Sequence, residues 1–556
     1  MIRYRLATAF KGAVGPRDND SRFLLDPHRR HIPGVATMRK YRNDDEVDMC
    51  IVGAGAGGAT LAQRLARKGW RIVIIEAGPF WDPDRDWVSD EAGSHHLYWN
   101  QKRIIGGQDP VELGRNNSGR GVGGSMVHYA GYTPRFHPSD FETQSRDGVG
   151  FDWPISYCDL KPHYELVEME LPVTGQRWPW GDAHSYPWPP HPVSVSALRC
   201  WEGARRLGIE MRVGPVGITN GAFGNRPHCI YRGYCLQACK VNAKGSPLVS
   251  HLPDAIAHGV EVRADSHAFR IDVDDNDRAI GVTYRDIDSG EERHQRAATV
   301  AVAGYSIETP RLLLLSANGR HPNGLCNNEG LVGRYLMVQG APQIAGRFPD
   351  EVRMYKAPPP EVSSEQFYET DDSRGFARGF SIQTVSPLPI GWAEHVLADG
   401  HWGAALREYM RDYNHWATLG VLNELLPLEH NTVTLADEKD EYGLPVARFD
   451  YTQCDNDRAN IAYATKLLSD IWKAAGAQDI LTIQRYAHLV GGCRMGTSPD
   501  NSVVDADHRT WSVRNLFVCD GSVMPTQGSA NPALTIMALA SRLADRLRSG
   551  GPRARS

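Results

Sequence analysis

The sequence predicts an α/β chain, α+β overall, with a nucleotide-binding unit at its head. Three observations predict it. A glycine-rich turn sits inside a strand–helix–strand pattern at Met49–Gly78. Strand-type alternation mixes with helical periodicity from Gln343 to about Gln484. Near the C-terminus a short strand ends on Asp520, and a proline-led helix opens at Asn531.

Met49–Val52 is a short apolar run, followed at once by Gly53-Ala-Gly55-Ala-Gly-Gly58. Ala59–Lys68 carries helical periodicity, Gly69 ends it, and Arg71–Ile75 is a second β-branched strand ending on Glu76. This is a βαβ unit with a G-x-G-x-x-G turn. Gly53 allows the tight turn, Gly55 lets backbone approach a pyrophosphate, and Gly58 lets helix and strand close up. The helix start offers free N–H groups to the phosphates, and Glu76 is placed to hold a ribose hydroxyl.

A chain of 556 residues has room for two to four domains. A net charge of −5 argues against a nucleic-acid binder. No apolar run approaches the ~20 residues of a membrane helix. Ten cysteines in this length are not a disulfide scaffold. Met1–Asn43 is basic and lacks periodicity; it reads as a loose extension, with Met38 an alternative start. Arg29-Arg30 is not followed by the apolar stretch an export signal needs.

Gly106–Phe136 is glycine-rich and holds Gly123, Gly124, Ser125 and His128, which suggests backbone packed close to a ligand. Phe151–Gly175 reads as a turn and a helix, Trp178–Pro192 as an ordered loop, and Ser194–Leu207 as a helix. Val260–Arg285 alternates like a hairpin turning near Asp274–Arg278. Ala298–Ala303 is a buried-type strand leading through Gly304 to a helix. Lys356–Arg374, proline-rich and acidic, reads as a surface loop or lid. Asn431–Leu435 and Pro445–Tyr451 read as paired strands, and Asp455–Ala475 as a long amphipathic helix.

Two further groups carry chemistry. Cys229, Cys235 and Cys239 follow C-x5-C-x3-C. Three thiolates in a short loop suit an iron–sulfur cluster or, with His228 as a fourth ligand, zinc; structural thiols, one pair disulfide-linked, are the alternative. His488 has an ordinary pKa of about 6.5 and can take a proton near neutrality. Paired with Asn531, it is placed to remove a hydroxyl proton while Asn531 holds the oxygen. Pro532 suits the first turn of the last helix.

The chain resembles the glucose–methanol–choline (GMC) flavin oxidoreductases along nearly its whole length after residue 45. The ordered blocks are Gly53–Gly58 with Glu76, Gly119–Ser125, Trp153–Tyr157, Ala303–Pro310, Val332–Leu336, and the blocks at His488, Asp520 and Asn531. The resemblance implies a Rossmann-like FAD-binding domain and a substrate domain with a mainly antiparallel sheet. It puts the former in residues 45–145, 191–335 and 486–556, with the cysteine loop 228–244. The latter falls in 146–190 and 336–485, leaving 1–44 as an extension.

The resemblance also implies FAD, with pyrophosphate over Gly53–Gly58, adenine ribose on Glu76 and adenine near Ala268. Asp520 and Gly521 would follow the phosphate and ribityl chain, and Asn531 and Pro532 would flank the flavin. His488 and Asn531 match the catalytic pair, and the apolar pocket should keep His488 largely neutral. In some relatives a His at the place of His128 bonds covalently to the flavin.

The chain looks like the catalytic subunits of bacterial FAD sugar dehydrogenases, several of which carry a [3Fe-4S] cluster on such a cysteine loop. That implies oxidation of a sugar, glycoside or polyol, a cytochrome acceptor and a small accessory subunit. The setting would be periplasmic or membrane-associated through that partner, or else cytoplasmic. The alternatives are a flavin oxidase with structural cysteines and, further off, a non-redox lyase-type relative. Gly492 stands where many members carry Thr or Ser, which should alter packing beside the flavin but not the chemistry.

Overall fold

Met49–Val52 and Ile72–Ile75 pair in parallel, with Met49 opposite Ile72. They form the centre of a five-stranded parallel sheet in the computed structural model, which describes residues 38–87, 89–111 and 118–548. Its strand order is Leu516–Val518, Val300–Val302, Met49–Val52, Ile72–Ile75, Glu261–Arg263. These strands are buried on both faces and read as unbroken apolar runs, as parallel strands do. The reading of residues 1–37 as part of a loose extension, and of 112–117 within the glycine-rich run, lies outside the described residues.

The first helix runs Ala56–Ala66, one turn earlier than periodicity suggests, because Ala56, Gly57 and Gly58 enter its first turn. Two glycines there are dictated by packing. A Cβ on Gly57 would lie 1.7 Å from the Cys519 carbonyl oxygen, and one on Gly58 2.1 Å from that of Gly53. The C-terminal helix Ala533–Arg548 packs on this helix and on Tyr157–Glu170. Ser156 caps the latter through a box with Asp159.

A second, antiparallel sheet runs Asp479–Ile483, Gln343–Arg347, Trp416–Asn423, Phe380–Val385, Val362–Ser364, Arg212–Val213. Met337–Gly340 and Tyr486–Val490 pair beside it. Helices Val195–Arg206 and Asp455–Ala475 cover one face, where Trp472 is fully buried and donates to the Ile344 carbonyl at 2.7 Å. On the other face Gln343, Gln383, Val385, Gly420 and Leu422 line the main cavity. Arg212–Val213 and Tyr486–Val490, expected on the nucleotide side, both pair here.

Two sequence expectations are corrected. Lys356–Arg374 is a surface loop only in part: 371–373 is exposed, but 357–365 is buried, and Val362–Ser364 is a sheet strand. Its two buried glutamates accept from distant donors, Glu361 from Ser194 Oγ at 2.7 Å and Glu365 from Trp178 Nε1 at 2.6 Å. The hairpin is Ser266–Val273 with Ala279–Asp286, while Glu261–Arg263 before it belongs to the parallel sheet. A third strand, Glu292–Arg296, extends the hairpin.

The second sheet is tied to the rest by a buried ion network. Arg378 pairs with Asp140, Asp147 and Glu424. Nearby, His137 bridges Glu365 and Glu369 at 2.9 and 2.8 Å. Arg378→Met strands three carboxylates in low dielectric and is expected to cost about 3–5 kcal/mol, read as a lower urea midpoint.

Candidate active site

One cavity of about 350 Å³ runs from the glycine turn to the second sheet. Of the residues singled out by sequence for nucleotide or catalysis, all but Gly58 and Gly123 line it. Those two are taken up by packing: a Gly123 Cβ would meet Val127 at 2.8 Å. Gly55 differs. A Cβ there would meet only the Gly124 Cα at 3.7 Å, an ordinary contact, so what its missing side chain leaves free is the cavity. Glu76 accepts backbone N–H bonds from Ala54 (2.9 Å), Gly78 (3.0 Å) and Gly121 (3.1 Å). Burial still pushes its pKa up. It therefore locks the glycine turn to the glycine-rich loop as well as facing the cavity. Asp520 does similar work opposite, accepting from the N–H groups of Tyr305 and Ser522, both at 2.8 Å.

His488 owes its aim to a bulge. Leu489 pairs with Val338 and Ala487 with Gln339, which leaves His488 as the extra residue. Its φ of +50° is uncommon for a residue with a side chain. Gln339 then fixes the ring. Its amide nitrogen donates to the carbonyls of Gly528 (2.6 Å) and Ala530 (3.0 Å), so its oxygen is the acceptor facing His488 Nδ1 at 2.7 Å. This network assigns the proton to Nδ1 and the lone pair to Nε2. Nε2 accepts from Asn531 Nδ2 at 3.1 Å. Burial, with Arg485 nearby, pushes the His488 pKa down to about 4. The imidazole is neutral at neutral pH, with its basic nitrogen beside Asn531 in the cavity wall.

His128 stands in the same wall, its ring edge-to-face with Tyr98 and the centroids 5.0 Å apart. Its Nε2 is buried without a hydrogen-bond partner among the described residues, and burial pushes its pKa down to about 3.

Cys229, Cys235 and Cys239 line one small pocket behind that wall. The loop curls around them with Tyr231, Ala238 and Asn242 at positive φ. The Tyr231 N–H donates to Cys229 Sγ at 3.3 Å, and the Lys244 N–H to Cys239 Sγ at 3.5 Å. All three are free thiols, which removes the disulfide alternative. The zinc alternative is also corrected: His228 is exposed and outside the pocket. Among the described residues no group of three His, Cys, Asp or Glu is placed to hold one metal ion.

Two buried cations flank the thiols. Lys244 Nζ donates to the carbonyls of Val127 (2.8 Å), Tyr129 (2.7 Å) and Cys235. Arg226 donates to the carbonyls of Asn242 (3.0 Å) and Ala243 (2.7 Å), and its Nη1 is buried without a partner. Neither meets a carboxylate among the described residues. Burial pushes Lys244 down to about 8 and Arg226 to about 10.

Sequence reasoning missed Gln339, Lys244, Arg226 and Arg485. The matched block Val332–Leu336 stops just short of Gln339, and Lys244 closes the cysteine loop; the other two carried no local signal.

Residues 115–341 and 427–540 match the GMC oxidoreductase family, and residues 51–80 the NAD(P)-binding Rossmann-like domain. The chain is 33% identical to 2-methyl-1,2-propanediol dehydrogenase of Mycolicibacterium austroafricanum, over 90% of this chain and 95% of that one. It is 31% identical to paromamine 6'-oxidase of Streptomyces fradiae, over 90% and 92%. It is 29% identical to the fructose dehydrogenase large subunit of Gluconobacter japonicus, over 90% and 97%. The structure of pyridoxine 4-oxidase from Mesorbium loti superposes with a TM-score of 0.66 at 18% identity, covering 91% of this chain and all of that one, which shows the fold. With parallel and antiparallel sheets meeting over one cavity and both family segments in place, the chain belongs to the GMC oxidoreductase family and is an FAD-dependent oxidoreductase acting on CH–OH donors.

Proposed function

We propose that this enzyme is a dehydrogenase for a sugar, glycoside or polyol. Its electrons leave through a [3Fe-4S] cluster on Cys229, Cys235 and Cys239 to a cytochrome or another acceptor. The observation that carries this reading is a shared wall. Leu236 lines the main cavity, while its neighbours Cys235 and Gln237 line the cysteine pocket. Lys244 adds a second link, bonding the carbonyls on either side of His128 to that of Cys235.

The residues fit both groups. FAD would lie along Gly53, Gly55, Glu76, Gly124, Ser125, Ala268, Asp520 and Gly521, with its ring beside His128, Asn531 and Pro532. Gly55 supports this, because protein packing gives no reason for a glycine there. The thiols suit a multi-iron cluster, in which each iron takes one thiolate, better than a single ion. Unpaired buried cations beside them suit an anionic occupant. When bound, FAD would supply a hydride acceptor and the cluster one-electron transfer.

The chain's own part is proton handling and placement. His488 Nε2, with its lone pair free, takes the hydroxyl proton, and Asn531 Nδ2 turns from Nε2 to the substrate oxygen. Because the base works unprotonated and its pKa is held near 4, kcat/KM should stay flat from pH 5 to 8. It should fall as pH drops through about 4; an acid limb near 6.5 would mean an unperturbed histidine.

Gly55→Val should fold and lose FAD, with a flavin-to-protein absorbance ratio about tenfold below wild type. An unchanged ratio would remove the pyrophosphate from Gly55.

The acceptor separates dehydrogenase from oxidase. Substrate-reduced enzyme should be reoxidised by ferricyanide or a cytochrome far faster than by air-saturated buffer. One peroxide per substrate at turnover rate would make it an oxidase with structural cysteines. Fructose dehydrogenase large subunit is by its name one part of an assembly. A small accessory subunit and a cytochrome are the partners this reading adds. Among the described residues no helix is long and apolar enough to cross a membrane.

A further inference from the structure

The sheet face over His488 holds a polar row, Gln343 and Gln383. Gln343 and Gln383 are both in register with Gly420 on the strand between them. Their Cα atoms are therefore two strand spacings apart, about 10 Å. Both side chains line the cavity, and both carboxamide oxygens are buried without a hydrogen-bond partner among the described residues. Gly420 keeps the floor between them low: a Cβ there would meet Val385 at 2.9 Å.

Arg485 stands at the edge of this face, in the link between Asp479–Ile483 and Tyr486–Val490. It lines the cavity, and its guanidinium has no hydrogen bond or ion pair among the described residues. Arg311, the other arginine of the wall, is paired with both Glu308 and Asp440. Arg485 is also far from the glycine turn along the cavity. It precedes His488 by three residues and acts electrostatically on it, so it belongs to the substrate end and not the pyrophosphate end.

We infer that Arg485, Gln343 and Gln383 form a subsite selecting a hydroxy acid, a sugar acid in the first instance, whose carboxylate meets Arg485 and whose further hydroxyls meet the two amides. A planar guanidinium matches a carboxylate through two parallel bonds. No carboxylate of the described residues reaches Arg485 at ion-pair distance, Glu394 and Tyr98 acting on it only from further off, so its guanidinium is open to one carboxylate. The unfilled amide oxygens call for O–H donors, which a polyhydroxylated chain supplies and a plain alkanol does not. The inference rests on the CH–OH oxidation assigned above to His488 and Asn531, and narrows its substrate.

The test is anaerobic flavin bleaching of the holoenzyme by matched pairs: gluconate and sorbitol, galacturonate and galactose, glycerate and glycerol, lactate and 1,2-propanediol. The acid should be the better substrate in at least one pair by about 30-fold in kcat/KM, the scale of a hydrogen bond to a charged group. Arg485→Met should lower the rate with that acid about 30-fold and change the neutral partner less than threefold, while Arg485→Lys keeps part of the preference. In wild-type enzyme, butyrate should compete with substrate and butyramide should not, a readout independent of any variant. Neutral members winning throughout, or equal losses for acid and neutral compound in Arg485→Met, would overturn the subsite and leave the CH–OH reading standing. If no hydroxyl compound bleaches the flavin, the oxidation reading itself fails, and the subsite with it.

Discussion

His488→Ala should slow flavin reduction by substrate about a thousandfold, within the range for removing a positioned general base. The bound flavin should stay in place. Geometry sets this base before electrostatics does. A bulge turns His488 into the cavity, Gln339 holds Nδ1–H, and Nε2 is left as the only basic nitrogen facing Asn531. Burial then keeps the ring neutral, so no proton has to leave before the substrate's can be accepted. Asn531→Ala removes the donor that holds the substrate oxygen and should cost less, about a hundredfold. Anaerobic stopped-flow absorbance near 450 nm measures both. A His488→Ala enzyme within about tenfold of wild type would move the base to another residue.

Cys235→Ser should separate the two halves of the reaction. Cys235 is buried in the pocket wall, and the next residue, Leu236, lines the main cavity. The variant should lose its iron, and acceptor reduction should fall at least a hundredfold, beyond the ~10–100-fold typical of outer-shell changes at metal sites. Flavin bleaching by substrate should change little, because His488, Asn531 and the glycine turn are untouched. Lys244, bound to carbonyls on both sides of the wall, makes some loosening of Val127–Tyr129 expected. The flavin-to-protein ratio monitors it. Equal loss of both half-reactions would make the cysteine loop structural.

What was legible in the sequence was local. Helix Asp455–Ala475 and the strands of the βαβ unit declare themselves through periodicity within a few residues. Gly53, Glu76, His488 and Asn531 sit in short ordered blocks, and the fold brings them to one cavity. What was not legible depends on register between distant strands. Gln339 matters only because Met337–Gly340 pairs with Tyr486–Val490 across a bulge. Gln343 and Gln383 share a row only through Gly420. Residues 357–365 misled for a different reason. Proline and acidic residues signal a solvated loop, yet Glu361 and Glu365 are buried because Ser194 and Trp178, more than 150 residues away, supply their donors. The lone pairing of Lys244 with carbonyls, and of Arg226 likewise, is also invisible in a sequence, where either reads as a surface charge.

The most direct test of the proposed electron exit is low-temperature EPR of protein purified anaerobically and then oxidised, with iron and acid-labile sulfide counted on the same sample. A sharp signal near g = 2 that disappears on reduction, with about three irons per chain, is the predicted result. No signal and no iron in protein that still bleaches with substrate would contradict the relay, leave Cys229, Cys235 and Cys239 as structural thiols, and make oxygen the first acceptor to examine.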